Sequence, residues 1–214
     1  MAASSCLVDV YGTLLECHWE AHDVVLPGLA GIAQDAWLDA YHRILPASGV
    51  GQVTRAELYE LVLRTCGVKP RDELVRELVA THLELLLANA RLFEDSVPFL
   101  EELRSRGTAI AIVSNCGEHT RDLLTELGII AMADVVVLSC EVGLIKPSPR
   151  IFLHTLKELD ADAADAVFVD DQAAFCAGAE AVGVRAVQIV RDSDLRPGAV
   201  RPPGAVRSLL DMLS

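Results

Sequence analysis

No C-x-x-C pair occurs in the 214 residues, and no histidine stands at zinc spacing from two cysteines. That removes the usual metal-binding and redox readings of cysteine. The six cysteines present, Cys6, Cys17, Cys66, Cys116, Cys140 and Cys176, read as small buried hydrophobes of a reducing compartment. Basic residues are also scarce: 18 Lys and Arg against 31 Asp and Glu give a net charge of −13. A field of that sign repels nucleic acid and anionic membrane, so neither is expected as a partner. An anionic ligand would need a local positive site to overcome it. Long apolar runs are missing too. Charge or glycine interrupts each within about ten residues, short of the ~18 needed to span a bilayer. The opening "MAASSCLVDVYG" has no basic n-region and meets an aspartate early, unlike a signal peptide, so a cytoplasmic protein is expected. No internal repeat or low-complexity segment is evident.

What is present is apolar. Hydrophobic residues make up 52% of the chain, far above the level of disordered sequences, and the length suits one full core or a core plus a small insertion. Short strand-length runs recur: "CLVDVY" (6–11), "AIAIVS" (109–114), "DVVVLS" (134–139), "AVFVDD" (166–171) and "VRAVQIV" (184–190). Between the later ones lie segments with apolar residues at helical spacing, several ending in glycine at Gly107, Gly128 and Gly183. Strand–helix alternation of this kind predicts an α/β fold, a Rossmann-like parallel sheet with helices on both faces.

The first run stands apart. Residues 16–92 read as an all-helical block inserted after strand one. They hold a predicted helix over about 28–45, a capping box "TRAE" with Thr54 as N-cap and Glu57 reaching back, and two further amphipathic helices. The expected organisation is a core of 1–15 and 93–214 with a helical cap of 16–92. A Pro/Gly connector at 196–204 precedes a short last helix.

In an open parallel sheet, ligands bind beyond the carboxyl ends of the strands. The polar residues predicted there are Asp9 after the first strand, Ser114 and Asn115 after the second, Lys146 in the loop after the third, and Asp170 and Asp171 at the fourth. A carboxylate is a competent nucleophile toward an electrophilic substrate. The turn after Asp9 is expected to offer an anion nest of backbone N–H groups, with Gly12 allowing the bend and Thr13 adding a hydroxyl. Ser114 and Lys146 can hold an anionic group. Asp9, Asp170 and Asp171 offer hard oxygen ligands suited to Mg²⁺.

These residues carry a resemblance to the haloacid dehalogenase superfamily, with its cap placed after the first strand. "DVYGTLL" resembles the first motif, "IVSN" the second, "EVGLIKPSPRIF" the third and "FVDDQAAFCAGA" the fourth. The resemblance covers nearly the whole chain. It implies a covalent intermediate on Asp9, binding of phosphate or carboxylate by Thr13, Ser114, Asn115 and Lys146, and a Mg²⁺ ligand in the backbone carbonyl of Tyr11. It also points in two directions. Phosphatases of the family usually carry a second aspartate where this chain has Tyr11, whereas the branch that hydrolyses 2-haloacids resembles this chain's D-x-Y-G-T. That branch, however, has small polar residues where Asp170 and Asp171 stand, and a water-activating aspartate at the place of Phe175. It also tends to have a tyrosine at Phe152 and uses a cap arginine, for which Arg43 is the candidate.

The expected function is therefore a Mg²⁺-dependent phosphatase of a small anionic metabolite, acting as monomer or homodimer. The alternative is a metal-free (S)-2-haloacid dehalogenase. A third reading is a family member that binds a ligand or partner without turnover.

Overall fold

The computed structural model describes residues 4–195 and 199–213. Of the Pro/Gly connector, residues 196–198 lie outside the described residues. The chain runs β1 (Ser5–Val8), β2 (Leu15–Cys17), α1 (Glu20–Ala30), α2 (Gln34–Gly49), α3 (Arg55–Thr65), α4 (Asp72–Asn89) and β3 (Ala90–Leu92). It continues with α5 (Ser96–Ser105), β4 (Ala109–Ser114), α6 (Thr120–Glu126), β5 (Val135–Leu138), α7 (Ser139–Val142) and α8 (Pro149–Glu158), then β6 (Ala166–Asp170), α9 (Ala173–Glu180) and β7 (Arg185–Gln188).

Five strands form one sheet in the order β5-β4-β1-β6-β7, and every pairing is parallel. The two-residue period of a strand sends alternate side chains to opposite faces, and both faces are apolar. Cys6 and Val8, Ile110 and Ile112, and Val167 and Val169 pack on one side with Phe99 and Leu100 of α5. Leu7, Ala111, Val113 and Phe168 pack on the other with Ile151 and Phe152 of α8. Burial on both faces is why these strands read as continuous hydrophobic runs rather than alternating ones. Each fully buried side chain of this size contributes roughly 1.5–3 kcal/mol, so the central strands are the best-anchored part of the molecule. All six cysteines are unbridged.

Helices α1–α4 share a separate apolar cluster. Leu74, Val75 and Leu78 of α4 face Leu58, Tyr59, Val62 and Leu63 of α3, with Trp37 of α2 stacked 5.8 Å from Tyr59. The capping box is present: Thr54 Oγ1 accepts from the Glu57 backbone N–H, and Glu57 accepts from that of Thr54. Two features differ from the sequence expectation. The single helix over 28–45 is two helices, because Gly31 turns left-handed (φ +66°) and its N–H bonds the Gly28 carbonyl, closing α1. The block is also not purely helical at its ends. β2 and β3 pair antiparallel, Leu15 with Leu92 and Cys17 with Ala90, so the chain enters and leaves the helices side by side. Among the described residues, no helix is long and apolar enough to cross a membrane.

The C-terminal segment is tied to the start of α5 by a buried ion pair and to the loop after β1 by a hydrogen bond. Arg191 donates to both carboxylate oxygens of Asp95 at 3.0 and 2.8 Å and to the carbonyl of Thr13 at 2.6 Å. Ser208 Oγ and the Leu209 N–H complete the carboxylate. Burial alone would raise the Asp95 carboxyl; the hydrogen bonds from Arg191, Ser208 and Leu209 outweigh it and hold the group below its ordinary value. A depressed carboxyl stabilises the fold above its unfolded pKa and loses that contribution as pH falls through the folded one. Asp95→Asn strands the Arg191 charge and is expected to cost about 3 kcal/mol at neutral pH. The deficit relative to wild type should shrink on acidification. Urea unfolding at two pH values checks both; an unchanged midpoint at neutral pH would contradict it.

Candidate active site

Every loop that leaves a carboxyl end of the central strands delivers a polar side chain to one place. β1 ends at Val8 and presents Asp9, buried to 5% exposure. β4 ends on Ser114, and β6 on Asp170, followed by Asp171. Lys146 comes from the loop before α8 and is fully enclosed. Its ammonium donates to Asp9 Oδ1 at 2.5 Å and to Asp170 Oδ2 at 2.6 Å, and it lies 5.0 Å from the Phe175 ring centroid and 5.4 Å from that of Phe168. One oxygen of each of Asp9, Asp170 and Asp171 lies within 4.8 Å of the others.

The electrostatics are unbalanced. Three carboxylates face one ammonium. Burial pushes Asp9 up to about 6, with Lys146 pulling it down and Asp170 pushing it further up. Burial likewise pushes Asp170 up to about 6 against the pull of Lys146. Burial works against the Lys146 charge, but Asp9 and Asp170 outweigh it and keep the ammonium protonated. A divalent cation would offset the surplus of negative charge. Asp171 Oδ1 is buried without a hydrogen-bond partner, as are Thr13 Oγ1 and Ser114 Oγ. A hard cation satisfies the first, and an oxyanion satisfies the two hydroxyls. The residues therefore fit a Mg²⁺ site beside an anion site.

Gly12 is there for close approach. Its φ is +82°, and a Cβ on it would sit 2.7 Å from Asp171 Oδ2. Much of the expected nest is taken up within the turn. The N–H groups of Gly12, Thr13, Leu14 and Leu15 are spent on the carbonyls of Leu15 and Val10 within the turn itself. Asn115 also differs from expectation: its side-chain amide donates to the Lys146 carbonyl at 2.9 Å and accepts from the Lys146 N–H at 2.8 Å. It clamps the loop that carries the lysine. Tyr11 turns away from the carboxylates. Its hydroxyl shares a 3.0 Å hydrogen bond with Thr120, its ring lies 5.9 Å from that of Trp19, and burial holds its phenol well above the ordinary value. Arg43 is not brought to the site; it is exposed on α2 and paired with Asp39 one turn away.

A cavity of about 660 Å³ adjoins the site. Tyr11, Asn115, Cys116 and Thr120 line it from the segments beyond β1 and β4, and Trp19, Leu26, Trp37 and Tyr41 from the side of α1 and α2. Arg55, the first residue of α3, also lines it. Sequence reasoning passed over this arginine. The available signal was a cation directly after an N-cap, where the helix dipole disfavours positive charge.

The model of the haloacid dehalogenase-like hydrolases matches residues 4–183. The chain belongs to that family. It is 33% identical to Phosphatase MT3486 of Mycobacterium tuberculosis over 99% of this chain and 98% of the relative. It is 28% identical to (S)-2-haloacid dehalogenase 1 of a Pseudomonas species, over 87% of this chain and 84% of that one. Its fold is like that of a haloacid dehalogenase family enzyme of Bacteroides thetaiotaomicron solved with magnesium and inorganic phosphate. That likeness has a TM-score of 0.69 at 16% identity, over 88% of this chain and 95% of the other. The chain is thus a hydrolase with a Rossmann-like core.

Proposed function

We propose that this hydrolase is a Mg²⁺-dependent phosphatase of a small anionic metabolite and that Asp9 is its nucleophile. The observation that carries this is the carboxylate cluster around Lys146, with Asp171 Oδ1 left unpartnered. A haloacid dehalogenase has no use for a dication beside its nucleophile, since halide leaves with its own charge. The likeness to Phosphatase MT3486 over the full chain supports the same reading.

Asp9, Asp170, Asp171 and the Tyr11 carbonyl would hold Mg²⁺, which when bound supplies positive charge against the transferring phosphoryl group. Asp9 attacks phosphorus as the ester P–O bond breaks, the alkoxide or phenolate leaves and takes a proton from solvent, and water then hydrolyses the aspartyl-phosphate to phosphate and the free carboxylate. Lys146 keeps Asp9 oriented and screens it from the incoming anion. Thr13 and Ser114 donate to the phosphoryl oxygens. Asn115 holds the Lys146 loop in place. Helices α1–α4, residues 16–92 with their strand ends, act as the cap over the core of 1–15 and 93–214.

The dehalogenase reading keeps one specific observation, the tyrosine at position 11, and loses another. Phe175 stands over the Lys146 ammonium, where that chemistry would want a water-activating carboxylate. A paired assay separates the two: an aryl phosphate and (S)-2-chloropropionate, each with Mg²⁺ and with a chelator. Mg²⁺-dependent release of phosphate supports the proposal. Chelator-insensitive release of chloride refutes it.

Tyr11 leaves the first step without the usual acid. General acid catalysis is worth about 10² to 10⁴ in rate, and an alkoxide needs it far more than a phenolate. Aryl, enol or acyl phosphates should therefore be preferred over alkyl phosphates. Tyr11→Asp should raise kcat/KM for alkyl phosphates more than for aryl ones. Equal rates on both classes in wild type, with no alkyl gain in the variant, would place the proton donor elsewhere.

A further inference from the structure

The cavity beside the site holds a buried cation that no carboxylate answers. Arg55 is 4% exposed. Its Nη1 donates to the Tyr41 hydroxyl at 3.1 Å, and its Nε is buried with no partner. Among the described residues no ion pair includes it, in a chain with 31 acidic residues. The nearby Glu118 carboxylate is spent on the Arg55 backbone N–H at 2.7 Å. The guanidinium lies against Gly117, where any side chain would collide with Nη2.

A buried charge without a partner is costly, and the start of a helix is the wrong end for a cation. Local stability does not account for Arg55, whereas a ligand does. His119 Nε2 in the same wall is also buried without a hydrogen-bond partner. Burial lowers His22 and His82, and His22 donates through Nε2 to the His82 carbonyl, so neither of these two rings brings positive charge to the cavity. Most of the remaining wall is apolar or aromatic, with Trp19, Leu26, Trp37 and Ile145, and its one carboxylate, Asp23, makes no ion pair with Arg55 among the described residues. Tyr11 and Asn115 line it as well, two residues from Asp9 and one from Ser114.

We infer that Arg55 is a specificity-determining residue that pairs with a second oxyanion on the substrate, with an apolar spacer between that anion and the phosphate. The substrate class is then a phosphate ester of an aryl or similarly apolar acid. This rests on the phosphatase reading for the first anion and on the cavity alone for the second. The guanidinium fork takes a carboxylate or a phosphate in two parallel hydrogen bonds, and Nε has no partner within the protein.

The test compares phenyl phosphate, para-carboxyphenyl phosphate and its para-phosphonomethyl analogue in wild type, Arg55→Met and Arg55→Lys. In wild type, one of the esters with a second anionic group should exceed phenyl phosphate in kcat/KM by about thirtyfold or more, chiefly through KM. The better of the two shows whether carboxylate or phosphate is preferred. Arg55→Met should erase the preference, bringing kcat/KM for the favoured ester down to that of phenyl phosphate, with the unfolding midpoint unchanged or raised. Arg55→Lys should keep part of it. Calorimetry with para-carboxybenzylphosphonate gives a readout without turnover: binding by wild type should exceed that by Arg55→Met by the same factor. Hydrolysis of phenyl phosphate with no advantage for either ester bearing a second anionic group overturns this inference and leaves the phosphatase reading intact. Absence of any ester hydrolysis overturns the phosphatase reading, and calorimetry then decides: Arg55-dependent binding upholds the second-anion site, and none overturns it. A marked fall in the midpoint of Arg55→Met would make the arginine structural and overturn it as well.

Discussion

Asp9→Asn is expected to reduce turnover of any substrate by roughly 10⁴-fold or more, the scale on which losing the nucleophile acts in covalent hydrolases. The amide is nearly the same size and fills the same space, but it cannot form the acyl-phosphate. The fold should survive. Asp9 shares Lys146 with Asp170, which accepts from the ammonium at 2.6 Å and remains as its partner. The substitution also removes one of three crowded carboxylates, each pushed upward by burial. An unfolding midpoint close to wild type, together with lost activity, is the expected pair of results. Substantial activity in a folded Asp9→Asn protein would refute covalent catalysis at this residue.

Removal of the metal is the second large effect. Chelation should lower kcat by about 10² to 10³ or more, the range seen when one preorganised electrostatic stabiliser is lost. Added Mg²⁺ should restore it. Asp171→Asn should act in the same direction and raise the Mg²⁺ concentration needed for half-maximal rate. Asp171 is the discriminating position because its Oδ1 is buried with nothing to bond. Its partners Asp9 and Asp170 already share Lys146. Steady-state rates against Mg²⁺ concentration for wild type and variant provide the check. Full activity in excess chelator would exclude the metal from the reaction.

The sheet was legible because its strands are short runs of valine, isoleucine and leucine buried on both faces, a pattern that does not depend on distant partners. The rim of polar residues followed from it, since Asp9, Ser114 and Asp170 stand where those runs stop. What the sequence hid depends on pairings across long separations. β2 and β3 are three residues each and meet across the whole helical block, so neither carries a signal of its own. The break between α1 and α2 hangs on one left-handed glycine, Gly31. Asn115 looked like a ligand to the transferring group, but spacing could not show its amide turning to the Lys146 backbone. Arg43 was the arginine that motif reasoning put forward. Helical register decides such questions, and it leaves Arg43 in solvent with Asp39 while Arg55 enters the cavity.

The central claim is a phosphoryl group carried on Asp9, and the most direct measurement is acid quenching during turnover of an aryl phosphate with Mg²⁺, followed by peptide mass analysis. Without an aspartate at position 11, water activation in the second step is impaired, so the intermediate should build up. The account predicts one phosphoryl group on the peptide containing Asp9, appearing with a burst of phenol and missing from the Asp9→Asn protein. Steady phenol release with an unmodified Asp9 peptide throughout would contradict it.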